Sequence, residues 1–186
     1  MRFYFTFFSI LSINLFFLSC TSSNENEKAS TNVSISAEEK RKLENWESLS
    51  GTAKKILGSY KGVVRERNWG DDLSQLKEPF EKSESQPSNG ISFTQYLDNT
   101  DLNFVDISYL GEENKLKEVK LDVFLENASE VEDLKAELSM YWFNEMGKNK
   151  QSDKKQIWEK NKTRIVLEDV STSKDPGLQI SFKQLP

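Results

Sequence analysis

From Gly90 onward the apolar side chains of this chain recur every second residue, and the turns between the runs are short. A period of two puts successive side chains on opposite faces of a strand, and turns of a few residues allow only antiparallel neighbours. Ile91, Phe93 and Leu97 form the first run around Gln95. Val105, Ile107 and Tyr109 alternate with Asp106 and Ser108 in the second. In the third, Val119, Leu121, Val123 and Leu125 alternate with Glu118, Lys120, Asp122 and Phe124. DNTD (98–101) and GEEN (111–114) supply the turns. Two later runs, Thr163, Ile165, Leu167 and then Leu178, Ile180, Phe182, flank Asp175-Pro176-Gly177, another turn signal. Each strand has one apolar face, so the sheet buries one side and leaves the other to water or polar cover.

Elsewhere the period is helical. Ser36-Ala37-Glu38-Glu39 reads as a capping box. Leu43, Trp46, Leu49, Ala53, Ile56 and Tyr60 follow at steps of three and four, predicting one helix that ends near Gly58 and Gly62. A short helix is expected from Asp71 or Asp72, limited by Pro79. A further helix carries Val131, Leu134, Leu138, Tyr141 and Trp142 behind a second box at Ser129–Glu132, with Gly147 as its stop. The expectation is α+β: one domain over residues 36–186, a largely antiparallel sheet of about five strands, and helices packed on one face. The element order is α-α-β-β-β-α-β-β.

The chain opens MRFYFTFFSILSINLFFLS, with Arg2 ahead of an apolar run to Leu18 broken by Thr6, Ser9, Ser12 and Asn14. That is the layout of a secretory signal over residues 1–19. A membrane-spanning helix, the competing reading, needs about 20 apolar residues in succession. The next residue, Cys20, is the single cysteine of the chain. Phe17-Leu18-Ser19-Cys20 resembles the lipobox of bacterial lipoprotein precursors, with Phe17 and Leu18 where the common pattern has leucine and a small residue. The resemblance implies that the Cys20 thiol carries diacylglycerol and that signal peptidase II cuts before it. Thr21 after the cysteine implies, by the same family's sorting rule, the outer membrane. Residues 20–35 then read as the lipidated cysteine and a polar, disordered tether with an r.m.s. reach of roughly 20 Å. With Cys20 acylated, no disulfide is available, and the domain must rest on its core alone.

Charge and residue types narrow the chemistry. The whole chain carries −5, and loss of the leader removes one arginine and no acid. Nucleic acid is therefore not an expected partner. Histidine is absent, which removes histidine-based nucleophile pairs and zinc sites. No cofactor or metal is expected. The Ser-x-x-Lys matches at Ser74, Ser152 and Ser171 lack the companion motifs of enzymes built on that pair. The adjacent acids Asp71/Asp72, Asp98/Asp101, Glu112/Glu113 and Glu132/Asp133 sit at turns or helix starts, where carboxylates cap backbone N–H groups.

One stretch departs from the acidic remainder. Residues 147–162, GKNKQSDKKQIWEKNK, hold six lysines against Asp153 and Glu159. Read as a loop, it offers Lys148, Lys150, Lys154, Lys155 and Trp158 as a contact for an anionic surface or partner. The plainer reading is a solvated connector. Taken together, the sequence points to a lipid-anchored, non-enzymatic envelope lipoprotein, a structural or binding module of the outer membrane or cell surface. A carboxylate-dependent hydrolase in the envelope is the alternative.

Overall fold

Eight strands form one antiparallel sheet in the computed structural model, which describes residues 35–186. They are β1 (Glu81–Lys82), β2 (Gly90–Tyr96), β3 (Phe104–Glu112), β4 (Lys115–Phe124), β5 (Lys150–Ser152), β6 (Lys155–Lys160), β7 (Thr163–Asp169) and β8 (Gly177–Gln184). Their order is β1-β2-β3-β4-β8-β7-β6-β5. Two four-stranded meanders thus meet where β4 pairs with β8. The leader, Cys20 and the tether as far as Ser34 lie outside the described residues.

The mixed α and β architecture and the antiparallel pairing agree with the sequence; the strand count does not. β1, β5 and β6 are additional. β1 and β5 are two and three exposed residues long, too short for an alternation to register. In β6 a single buried residue, Trp158, stands among lysines and half-exposed neighbours.

Cross-strand register explains the core. Tyr109, Val119, Phe182, Ile165 and Trp158 lie side by side across five strands, and Phe93, Ile107, Leu121, Ile180 and Leu167 form the adjacent row. All ten are buried. Facing pairs of this kind are the unit of sheet stabilisation. Two hairpins close through two-residue turns, Glu113-Asn114 (φ 49°, 62°) and Asn161-Lys162 (φ 50°, 61°). Positive φ at both central residues matches the right-handed twist of the flanking strands.

The helices are α1 (Ala37–Glu47), α2 (Gly51–Leu57) and α3 (Ala128–Met146). Ser36 caps α1, its Oγ accepting the Glu39 N–H at 3.1 Å. The single helix expected through Tyr60 is instead two. Ser50 Oγ accepts the Ala53 N–H at 3.1 Å and starts α2, while Glu137 of α3 takes both the Ser50 N–H and its hydroxyl. A helix running through Ser50 would need that N–H for itself. The short helix expected near Asp72 is one 3-10 turn, Leu73–Gln75, with Asp72 as its cap. α3 begins two residues before the second box, at Asn127, which makes no side-chain cap; Gly147 ends it at φ 87°.

α3 packs across β6, β7 and β8. Its Trp142 ring lies 5.4 Å from Trp158 and 6.0 Å from Phe182. Trp158 is 1% exposed, so its expected role at an external contact fails: register places it on the helix-covered face. No helix among the described residues is long and apolar enough to cross a membrane.

Candidate functional site

Residues 58–72 join α2 to the 3-10 turn and build two adjoining regions of opposite character. Val64 and Arg67 pair as an isolated bridge, leaving Arg65 (φ 52°) and Glu66 (φ 62°) as a tight turn. Gly62 enters this turn at φ 72°, and a Cβ there would lie 2.6 Å from the Arg67 carbonyl oxygen. Only glycine fits both the backbone angle and the space.

The turn directs two guanidinium groups towards the sheet. Arg65 Nη1 donates to the carbonyls of Lys55 (3.0 Å) and Ile56 (2.8 Å), satisfying acceptors at the end of α2. Its Nη2 donates to Gln95 Oε1 at 3.0 Å, which accounts for the one polar residue on the inner face of β2. The Glu78 carboxylate lies 3.6 Å from Arg65 and 3.3 Å from Arg67, and accepts the Tyr109 hydroxyl. Arg65 and Glu78 side chains are 6% and 7% exposed. Burial, then the neighbouring Glu78 carboxylate, drives the Tyr109 phenol well above its usual pKa. The cluster is turned inward: its charges face each other, backbone carbonyls and Gln95, and only the buried Nε–H groups of Arg65 and Arg67 lack an acceptor among the described residues.

Beside it, open to the exterior, is a cavity of about 360 Å³ between α1, the end of α3, residues 57–69 and the β6–β7 turn. Its floor is core: Leu57, Val64, Trp142 and Phe182. Its walls are not covered to the same degree. Of seven half-buried apolar side chains packed on the core, Tyr60, Val63, Trp69, Tyr141 and Met146 all line this cavity. Trp69 is held in place by its Nε1–H, which donates to Thr163 Oγ1 at 3.0 Å. No other aromatic ring or cation pairs with the Trp69 indole among the described residues.

The polar rim divides by charge. Glu38 pairs with Lys42 at 3.2 Å. Glu145 takes both Arg41 guanidinium nitrogens at 3.0 Å and the Asn45 amide at 2.8 Å, and Lys160 Nζ donates to the Glu145 carbonyl at 2.6 Å. The neutral groups are free: the side chains of Tyr60, Asn68, Tyr141 and Asn161 make no hydrogen bond among the described residues. Burial, followed by the Glu145 charge, pushes the Tyr141 phenol up to about 12, so it remains a donor.

The residues singled out in the sequence lie elsewhere. Lys148, Lys150, Lys154 and Lys155 are all exposed on or beside the β5–β6 hairpin. Lys150 pairs with Glu159 at 3.4 Å and Lys155 with Glu168 at 2.9 Å. β5 is the terminal strand of the sheet, and lysines on an edge discourage pairing with a further chain. Of the carboxylate pairs, Asp71 and Asp72 accept the Asn68 and Ser74 N–H groups, and Asp98 accepts Thr100 N–H and the Asn103 amide. Hydrogen bonds to Ser74 lower the Asp72 pKa, and those to Asn103 and Thr100 lower that of Asp98. Glu132 pairs with Lys135, and Glu112 and Glu113 are exposed at the hairpin. Among the described residues no group of three or more histidines, cysteines and acids is disposed to hold a metal ion.

Sequence reasoning missed the groove because its walls come from four separated segments. Trp69-Gly70 beside the basic, valine-containing run 63–67 was the available signal. No protein-family model, curated protein or solved structure matches this chain.

Proposed function

We propose that the chain is a lipid-anchored, non-enzymatic binding module of the bacterial envelope, held at the outer membrane through Cys20, with the groove at Trp69 as its ligand site. The observation that carries the binding half of this reading is the gathering of five half-buried apolar side chains in one cavity. A monomer normally has little reason to leave such surface concentrated and concave, and pockets of this size with a few convergent polar groups are the usual form of a small-molecule site. The hydrolase alternative needs a carboxylic acid with a raised pKa. Asp72 and Asp98 are shifted the other way.

The anchoring half rests on the resemblance of Phe17–Cys20 to a lipobox. Two or more acyl chains hold a protein at a membrane where one does not. Replacement of Cys20 by Ala is expected to abolish incorporation of labelled palmitate and leave the precursor uncut. Equal labelling of both forms would overturn the anchor. The binding half is tested by titrating the purified chain with an amphipathic naphthalene dye: saturable binding lost in Trp69→Ala is expected. Binding that ignores this substitution would remove the groove from the proposal.

A further inference from the structure

We infer that the ligand of this groove is a neutral saccharide, seated with one ring face on Trp69; this deepens the binding reading above and rests on it. Three observations converge. The first is the fixed indole. Its Nε1–H is committed to Thr163 Oγ1, so what the half-buried ring offers to the cavity it lines is apolar surface and not a donor. A preset aromatic face binds with little loss of rotamer entropy. It suits a molecule that is itself flat, with carbon–hydrogen bonds on its face and polar groups on its edge.

The second is the division of the rim by charge. Glu38, Lys42, Glu145 and Lys160 all have partners, whereas Tyr60, Asn68, Tyr141 and Asn161 have none among the described residues. Glu38, Lys42 and Glu145 are already ion-paired, so an ionic ligand would have to displace those contacts; Lys160, bonded to the Glu145 carbonyl, is the one rim cation without an ion pair among the described residues. Hydroxyl groups instead match free amides and phenols, which both donate and accept. The third is placement. Asn68 adjoins Trp69, and Asn161 lies two residues from Thr163, so the free amides flank the two residues that fix the platform. An acyl chain would use the floor but cover the half-buried Tyr60 and Tyr141 hydroxyls without pairing them, which is costly, and would make no use of the exposed Asn68 and Asn161 amides.

The test uses the full lipidated chain, ¹⁵N-labelled, in a zwitterionic detergent without a sugar headgroup. Maltose, cellobiose and diacetylchitobiose are the probes, and lauric acid is the control. At least one disaccharide is expected to shift the Trp69 indole N–H signal saturably below ~10 mM, leaving the buried Trp158 signal in place. Trp69→Ala should weaken that binding about tenfold or more. Asn68→Ala and Asn161→Ala should each weaken it roughly threefold to tenfold, with Lys160→Gln, Lys42→Gln and Glu38→Gln without effect.

If lauric acid shifts the Trp69 signal saturably and no disaccharide does, the saccharide inference falls while the binding reading stands. If neither acts, both fall. Should Trp69→Ala fail to fold, the two asparagine variants decide, and unchanged affinity in both overturns the inference. A tenfold loss in Lys160→Gln, Lys42→Gln or Glu38→Gln would indicate a charged ligand and overturn it as well.

Discussion

Residues 59–69 serve an inward-turned cluster on one side and an open groove on the other, and the two differ in how their polar groups are satisfied. Inward, the terminal guanidinium nitrogens of Arg65 and Arg67 meet Glu78, Gln95 and backbone carbonyl groups, with Tyr109 on the same carboxylate, and only the two Nε–H groups are left without acceptors among the described residues. Outward, Tyr60, Asn68 and Trp69 line a cavity, with neutral side-chain groups unpartnered among the described residues and no aromatic ring or cation stacked on the indole there. Charge is spent on the fold and neutral polarity is left for something else. A residue's polarity therefore says less about its role than whether its hydrogen bonds end within the molecule.

The largest expected contrast comes from removing Glu78. Glu78→Ala would leave Arg65 buried without its carboxylate and Tyr109 without its acceptor. Breaking a buried pair on one side costs about 3–5 kcal/mol. Denaturant titration should show that loss, and a change under about 1 kcal/mol would mean that water reaches the cluster. Trp69→Ala, by comparison, removes a half-buried ring and one hydrogen bond and should cost about 1–2 kcal/mol, while abolishing the dye binding. A protein in which Glu78→Ala is mild and Trp69→Ala unfolds the chain would reverse the assignment of the two regions.

Alkaline titration sharpens the same contrast. The folded pKa values of Tyr109 and Tyr141 lie above the ordinary value of 10.0, Tyr109 the further and Tyr141 at about 12. A raised folded pKa means that the native state keeps its proton when the unfolded chain has released it. The associated stability is complete below pH 10 and is lost as pH rises through the folded values. The denaturation midpoint should therefore be level to about pH 9.5 and then fall. Tyr109→Phe should be less stable at neutral pH, because Glu78 loses a donor, yet show a shallower alkaline fall. An equally steep fall in that variant would assign the effect to other groups. At the acid end Asp169 gives the opposite sign. Burial opposes its ionisation, but hydrogen bonds from Ser171 and Lys135 outweigh this and hold its pKa at about 2. Its contribution is present above the usual 3.8 and lost as pH falls towards 2.

The parts of the fold that could be read in advance are those where one physical demand repeats. β2, β3, β4, β7 and β8 alternate because every second side chain enters the core, and the turn at Glu113-Asn114 falls within the four residues expected for it. The helix break at Ser50 was not readable, because the stripe from Leu43 to Tyr60 continues through it. The reason for the break is Glu137, far along the chain. Buried Arg65 and Glu78 look in the sequence like any surface pair, and only the fold brings them beside Gln95 and Tyr109. The groove was invisible for the same reason: Trp69, Tyr141 and Asn161 share a cavity but no local pattern.

The β5–β6 hairpin offers the smallest expected effect on stability. Its lysines have two uses that predict different outcomes. As edge protection they keep β5, a strand of three exposed residues, from pairing with another sheet. As an anionic contact they hold the domain against acidic lipid, each contributing about 1 kcal/mol near the surface and little beyond a Debye length of about 8 Å. Lys150 and Lys155 already face Glu159 and Glu168, while Lys148 and Lys154 have no ion pair among the described residues. Changing all four to Gln should move the denaturation midpoint by no more than about 0.5 kcal/mol, since none enters the core. Binding to anionic vesicles at low salt, lost on raising the salt and lost in Lys148→Gln/Lys154→Gln alone, would assign the hairpin to a surface contact. No vesicle binding, together with self-association of the fourfold variant at the β5 edge, would assign the lysines to edge protection. They would then belong, like the Arg65 cluster, to the fold, and the groove at Trp69 would stand as the proposed contact with a ligand.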